Sequence, residues 1–420
     1  MKKVFLTSLF IVVIFSTALY IGTNNSSASV DKSGDKFANK LDSQIELLNI
    51  GIKNNSQNIQ NYIDLSSAYL QKVRETLDIS YYQKIQDLMA QAEKIDAKNI
   101  YRNSEIPALL GSVEIGKHHF KEGKNFAEKA IELNKNNYLY YGLLGDAEIE
   151  LGEYTEATNA FQQMVNLRPG YAAYVRIAYI RELYGDIPGA KKFLQLAIDS
   201  GSSFKENIAF AYVELGKLEM RDNLELGKNK FEQALAIVPD YPPALESLGK
   251  IAYFKNDATS SKIYFKLAYD KLSTAQYATD LADLLNSSQY LTLAQIAYQK
   301  NSQSGVNTDL EESLFLSDHN LDLENSLAKA KSAYTERPSI YAADYYSWAI
   351  YKNYKDKNLT DYKDLLLKLK TEAFRLGEND PLILLHQGLI AQSLGDYENA
   401  KKYLDKSKKI NPYVTILNQK

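Results

Sequence analysis

Apolar residues recur at spacings of three and four over long parts of the chain. The stretch LYYGLLGDAEIELGEYTEATNAFQQMVNLRP (residues 139–169) shows the habit, with no alternation of period two that a half-buried strand requires. It predicts two helices broken by a turn at Leu151-Gly152. The same layout returns at a fixed step. A residue close to the end of every second helix falls at Ala92, Ala130, Met164, Ala197, Ala234, Ala268, Lys300, Ala333, Ala373 and Ser407, at intervals near 34. Alanine takes most of these positions, as expected where two helices must approach to about 8 Å.

Other marks travel with the period. Leu-Gly pairs stand at Leu110-Gly111, Leu144-Gly145, Leu215-Gly216 and Leu248-Gly249. A turn glycine followed by an acid and then Tyr or Ile stands at Gly152, Gly185 and Gly395, where left-handed backbone would end the first helix. Prolines at Pro169, Pro239, Pro338 and Pro412 punctuate the second helix, because proline cannot continue it. One such hairpin leaves an apolar face bare, so neighbours must stack to bury it. The expected fold class is all-α, a solenoid of about ten helix–turn–helix units.

These residues resemble the tetratricopeptide repeat: the Leu-Gly pair, the G-D-Y turn, the two small residues and the closing proline. Units start near residues 59, 104, 138, 171, 208, 242, 274, 307, 340 and 381, and the resemblance covers roughly residues 38–414. Those at 59 and 340 carry turn insertions, RETLDIS and DKNLTDY; those at 274 and 307 rest mainly on phase. The resemblance implies a right-handed superhelix whose first helices line a concave groove that takes an extended peptide or a partner helix. The expected division is 1–28 signal, 29–37 linker, 38–58 leading helix (helical over 38–54) and 59–420 solenoid. GVNTDLEESLFLSDHN (305–320), RPSIYAADYYSWAIYK (337–352) and LGENDPLILLHQGLIAQSLGDYENA (376–400) also resemble a group of exported prokaryotic tetratricopeptide proteins without an agreed activity.

The N-terminus changes the expected address. Met1-Lys2-Lys3 precedes a charge-free run, residues 4–22, and then a small, polar stretch. A positive start, an apolar run and a small-residue exit make a secretory signal. Nineteen helical residues span about 28 Å, close to the ~30 Å hydrocarbon core. The segment is therefore either removed after Ala28 or kept as a single membrane anchor. Both place the solenoid outside the cytoplasm: secreted, periplasmic or at the cell surface. The absence of cysteine excludes disulfides, thiolate metal sites and cysteine nucleophiles. A net charge of −3 argues against nucleic acid as partner. No P-loop, G-x-S-x-G or H-E-x-x-H stands in the chain, so no enzyme is expected.

The groove expected from the resemblance supplies candidate contacts. The N-terminal half offers Ser112, Asp146, Tyr179, Glu182 and Lys217. The C-terminal half offers Phe315, Asp318, His319, Tyr341, Asp344, Trp348, Tyr351 and Lys352, rings with flanking charges that suit recognition. Trp348 is the one tryptophan of the chain and shares a helix face with Tyr351. Against this, aromatic residues at helical spacing in a solenoid commonly pack units together. Thr308-Asp309-Leu310-Glu311 reads as a capping box, His118-His119 as a solvated turn, Glu311-Glu312 as a solvated face, and His386 as a ring packed between units. The expected role is an extracytoplasmic scaffold that binds a protein or peptide, with no cofactor and no assigned metal. The alternative is a small-ligand or metal-binding solenoid centred on the C-terminal groove. Homo-oligomerisation through terminal helices stays open.

Overall fold

The computed structural model of the protein describes residues 35–414, apart from 77 and 98–101. The expected signal, residues 1–28, lies outside the described residues. Helix α1 (Asp35–Asn54) begins three residues inside the expected linker. Ten hairpins follow. They are α2 (Ile59–Thr76) with α3 (Ser80–Ile95), α4 (Glu105–Gly116) with α5 (Phe120–Leu133), and α6 (Tyr138–Glu150) with α7 (Tyr154–Leu167). Next come α8 (Tyr171–Leu183) with α9 (Ile187–Ser200), α10 (Lys205–Asp222) with α11 (Leu224–Ile237), and α12 (Pro242–Phe254) with α13 (Ala258–Lys271). The last four are α14 (Ala275–Leu285) with α15 (Ser288–Gln303), α16 (Asp309–Asp318) with α17 (Leu323–Glu336), α18 (Ile340–Tyr354) with α19 (Lys363–Gly377), and α20 (Pro381–Ser393) with α21 (Tyr397–Ile410). The described residues form an all-helical solenoid in which nearly every helix packs on its sequence neighbours.

The two helices of a hairpin differ in what they bury. First helices such as α12, α18 and α20 are buried on most faces. Second helices such as α13, α17 and α21 bury a narrow stripe and turn the rest to solvent. The marks of the repeat act as their chemistry dictates. Gly152, Gly185 and Gly395 hold φ of 75°, 78° and 79° at the mid-hairpin turn. Asn256, Asn286 and Asn320 take the same turn position at φ of 61°, 53° and 52°, asparagine being well tolerated there among non-glycine residues. At Gly249 a Cβ would lie 2.6 Å from the Phe265 ring, so only glycine lets α12 and α13 close. Pro169, Pro239, Pro338 and Pro412 each stand two residues beyond the end of a second helix.

The phase slips once. Lys300 is exposed, and Ala294 and Tyr298 carry the burial in α15, a helix of 16 residues against 14 in most of its counterparts. RETLDIS is largely absorbed: its first three residues lengthen α2 rather than forming a loop. DKNLTDY holds a short 3-10 helix, Leu359–Tyr362, and buries Leu359.

The array also winds back on itself. Asn307 donates its backbone N–H to the carbonyl of Lys117 at 2.9 Å, joining the turn before α16 to the end of α4. Tyr154, at the start of α7, accepts from the backbone of Ile340 at 2.9 Å. Arg375 of α19 donates to the carbonyls of Gly152 (3.0 Å) and Pro338 (2.6 Å). Arg337 lies between Glu150 of α6 at 3.1 Å and Glu311 of α16 at 2.8 Å. One apolar cluster contains Tyr154, Phe161 and Tyr179 together with Ile340, Leu369 and Ile383. Hairpins some 190 residues apart in sequence therefore share one core, and the solenoid is closed rather than open along this seam.

Candidate functional site

Closure decides what the expected groove residues can do. Trp348 is 2% exposed, lying between the rings of His386 (4.1 Å) and Tyr351 (5.0 Å). Its indole N–H donates to Asp318 at 2.8 Å. Asp344 has no exposure; it faces Nδ1 of His386 at 2.6 Å and accepts from Gln387 at 3.0 Å. His386 is thus packed between α18 and α20, as the sequence suggests. Lys352 is buried beside the Trp348 ring, and burial pushes its ammonium down against the pull of Asp318. Tyr341 is half-buried and donates to Asp380 at 3.2 Å. Trp348, Asp344 and Lys352 therefore form a wall between α16, α18 and α20 rather than an open surface. In the N-terminal half, Asp146 is locked to Arg176 at 2.8 and 2.6 Å, and Glu182 pairs with Arg221. Ser112 bonds the carbonyl of Ala108, Lys217 bonds Glu214, and Tyr179 is buried.

Phe315, Asp318 and His319 lie elsewhere. They line a cleft of about 30 Å³ between α14, α15 and α16, together with Thr279, Asp280, Asp283, Tyr298 and Glu311. His319 Nδ1 faces the carbonyl of Phe315 at 2.8 Å and Nε2 faces Asp283 at 3.1 Å. Both partners are acceptors, so both ring nitrogens need protons to bond them. Burial works against the charged ring, but Asp283 outweighs it and the pKa is raised. Asp318 and His319 point apart, one to Trp348 and the other to Asp283, so they do not converge with Asp344. Among the described residues no three His, Asp or Glu side chains gather closely enough to hold a metal ion.

The acids of the cleft are unevenly satisfied. Asp280 Oδ1 accepts from Gln276 at 3.1 Å, and the Asp280 carboxyl shares a hydrogen bond with that of Glu246 on α12. Glu311 Oε1 takes Arg337, while Oε2 is buried and unbonded, with His118 3.9 Å away. Asp280 is 1% exposed, and burial holds its carboxyl well above the usual range; Glu246 and Asp283 add to this and Lys250 opposes it. Burial also pushes up Asp318, opposed by His386 and His319. Behind the cleft, Lys250 bonds Glu246 within α12. Charged groups on α12, α14, α16 and α18 thus follow one another along the first helices.

Several expectations change here. Glu311 is buried and ion-paired, not part of a solvated face, and Glu312 pairs with Lys329 at 3.1 Å. The capping box does not form: Asn307 Oδ1 accepts from the N–H of Asp309 at 3.1 Å, and Glu311 is drawn away to Arg337. His118 is not solvated; at φ 62° it is buried against the carbonyl of Asn307 at 2.8 Å, because the turn meets the start of α16. The lining expected from sequence also omits Glu246, Lys250, Asp280 and Asp283. A signal was available for two of them, since Glu246 and Asp280 stand one repeat period apart.

Residues 138–171 and 383–413 match the family model of the tetratricopeptide repeat. Compared with curated proteins, the chain matches none. Among solved structures it is similar to MamA at 22% identity, over 39% of this chain and 95% of that one, with a TM-score of 0.31. PilW, a type IV pilus biogenesis factor, is 15% identical over 48% of this chain and 94% of its own, with a TM-score of 0.38. The human IFIT1 dimer with PPP-AAAA is 15% identical over 91% and 95%, with a TM-score of 0.43.

Proposed function

We propose that this tetratricopeptide-type solenoid is a protein-interaction scaffold that works outside the cytoplasm and holds a peptide or partner helix against its first helices. The observation that carries the reading is the run of charged and polar groups on those helices, from Glu246 and Lys250 through Asp280, Asp283 and Asp318 to Asp344 and His386. Buried charges are weak contributors to stability compared with apolar packing of equal volume. Their repetition on successive first helices fits recognition better than it fits core-building. Phe315, Asp318 and His319 are the members open to a cleft, Trp348 bonds Asp318 from behind it, and Asp344 faces His386 instead. The family match indicates no catalytic family. The location rests on residues 1–28 alone.

A peptide array probed with the full chain tests binding. Selection of a recurrent side-chain pattern over scrambled controls is expected, and uniform binding to both would overturn the scaffold reading. A reporter enzyme that folds only outside the cytoplasm, fused at the C-terminus, tests location. Activity is expected, and an inactive but intact fusion would overturn it.

A further inference from the structure

Three mid-hairpin turns share one form: Gly152-Glu153-Tyr154, Gly185-Asp186-Ile187 and Gly395-Asp396-Tyr397. Two of them are covered across the seam. A Cβ at Gly152 would lie 2.5 Å from the carbonyl oxygen of Pro338, and one at Gly185 would lie 2.4 Å from Nδ2 of Asn379. Pro338 and Asn379 stand two residues before α18 and α20, so each covered turn receives the start of a first helix. The third turn is bare. Among the described residues nothing lies within 4 Å of where a Cβ at Gly395 would stand. Tyr154 is 7% exposed, and Tyr397, in the same place of its hairpin, is 71% exposed.

The covered turn shows what fits the bare one. The first N–H groups of a helix have no partner within it. At α18 the N–H of Ile340 finds one in the hydroxyl of Tyr154 at 2.9 Å. The segment that delivers this N–H is Arg337-Pro338-Ser339-Ile340. It has a counterpart in Arg168-Pro169-Gly170-Tyr171, which holds the only other Arg-Pro pair of the chain and opens α8. Arg168 and Pro169 are exposed, as is Leu167 before them. Gly170 brings no side chain to cap α8. At the bare turn Asp396 and Glu398 are exposed on either side of Tyr397, with the sign that suits Arg168. Ser393 stands where Glu150 serves Arg337, so these two acids take over that role.

We infer that the Gly395–Tyr397 turn docks on the Arg168–Tyr171 helix start of a second copy of this chain, carrying the seam from one molecule to the next. Across the seam a turn meets a start, so the paired hairpins run in one direction. A joint of that kind uses two different surfaces and leaves one of each free. Copies therefore add head to tail and do not close as a two-fold pair. The inference is independent of the scaffold reading above.

Sedimentation velocity of the full chain from about 1 to about 100 µM tests it. The mass is expected to rise with concentration and to pass the dimer. Tyr397→Ala removes the ring from the turn surface, and Arg168→Glu reverses the charge of the start surface. Each alone should weaken association at least about tenfold. Both positions are exposed, so neither change should move the melting temperature by more than about 1 °C. Leu167→Asp replaces Arg168→Glu if that variant melts early. Mixed one to one, the two variants keep one sound surface each and should form a dimer that grows no further. A wild-type chain that stays monomeric throughout overturns the inference and leaves the turn to a partner of another kind. Association unchanged in either variant also overturns it, as does a mixture that stays monomeric or grows past the dimer.

Discussion

Arg337→Met tests the seam that closes the solenoid. The guanidinium is 4% exposed, with Nη1 3.1 Å from Glu150 and Nη2 2.8 Å from Glu311, and its central carbon lies 5.2 Å from the centre of the Phe120 ring. Methionine keeps the stem and removes the charge, leaving two carboxyls from distant hairpins buried near one another. Removing one partner of a buried ion pair costs about 3–5 kcal/mol. Unfolding entropy of roughly 2.1 cal/mol/K per residue, over the roughly 380 residues of the array, gives about 0.8 kcal/mol/K, so the melting temperature should fall by about 4–6 °C. Differential scanning calorimetry measures it. The loss should shrink from pH 8 to pH 6, because burial, resisted by Arg337, pushes the Glu150 carboxyl up to about 7 and a protonated acid no longer needs its partner. Glu311→Gln added to Arg337→Met should restore part of the loss. A drop under about 1 °C would show that the seam carries no stability and that the hairpins stand by neighbour contacts alone.

Gly152→Ala should destabilise by about 1–3 kcal/mol, read by thermal or urea unfolding. The site has φ of 75°, and an added Cβ would lie 2.5 Å from the carbonyl oxygen of Pro338 across the seam. Wild-type stability in that variant would refute the contact. Trp348→Phe keeps the stacked ring but strips Asp318 of its indole donor, a loss of about 1–3 kcal/mol by urea unfolding; no change would mean that bond contributes nothing. Stability should fall as pH rises from 6.5 to 8. Burial, opposed in turn by Arg176, Lys124 and Arg337, pushes the Asp146, Glu148 and Glu150 carboxyls up to about 6, 7 and 7. The native state then holds protons that the unfolded chain has already lost, and releasing them removes stability. His319, raised by Asp283 despite its burial, acts in the same sense. His118, lowered chiefly by burial, acts the opposite way, mostly below its unfolded value of about 6.5 and fading above it. A melting temperature that rises over this range would contradict these assignments.

The hairpins are legible in the sequence because their causes are local. Gly152, Gly185 and Gly395 answer to a backbone angle, and Gly249 to the width of a ring next door; each is read within one period of its position. Lys300 shows the limit, since a helix two residues longer moves the buried stripe to Tyr298 while the count along the chain stays near 34. The candidate site is legible only in part. Phe315, Asp318 and His319 line a cleft between α14, α15 and α16, while Asp344 and Trp348 are buried by His386 and Gln387 of the following hairpin. His118, Glu150, Glu311 and Arg337 form a cluster across some 190 residues of sequence. Neither helical period nor repeat phase carries information over that distance.

Arg337 and Arg375 join hairpins on either side of the array, and this fixes the number of units between them. In an open stack a hairpin can be gained or lost in evolution, each new copy docking on the last. Here one extra copy between α7 and α16 would rotate Glu150 away from Arg337 and Gly152 away from Arg375. Growth is tolerable only at the two ends, and novelty inside the loop must come from changing side chains.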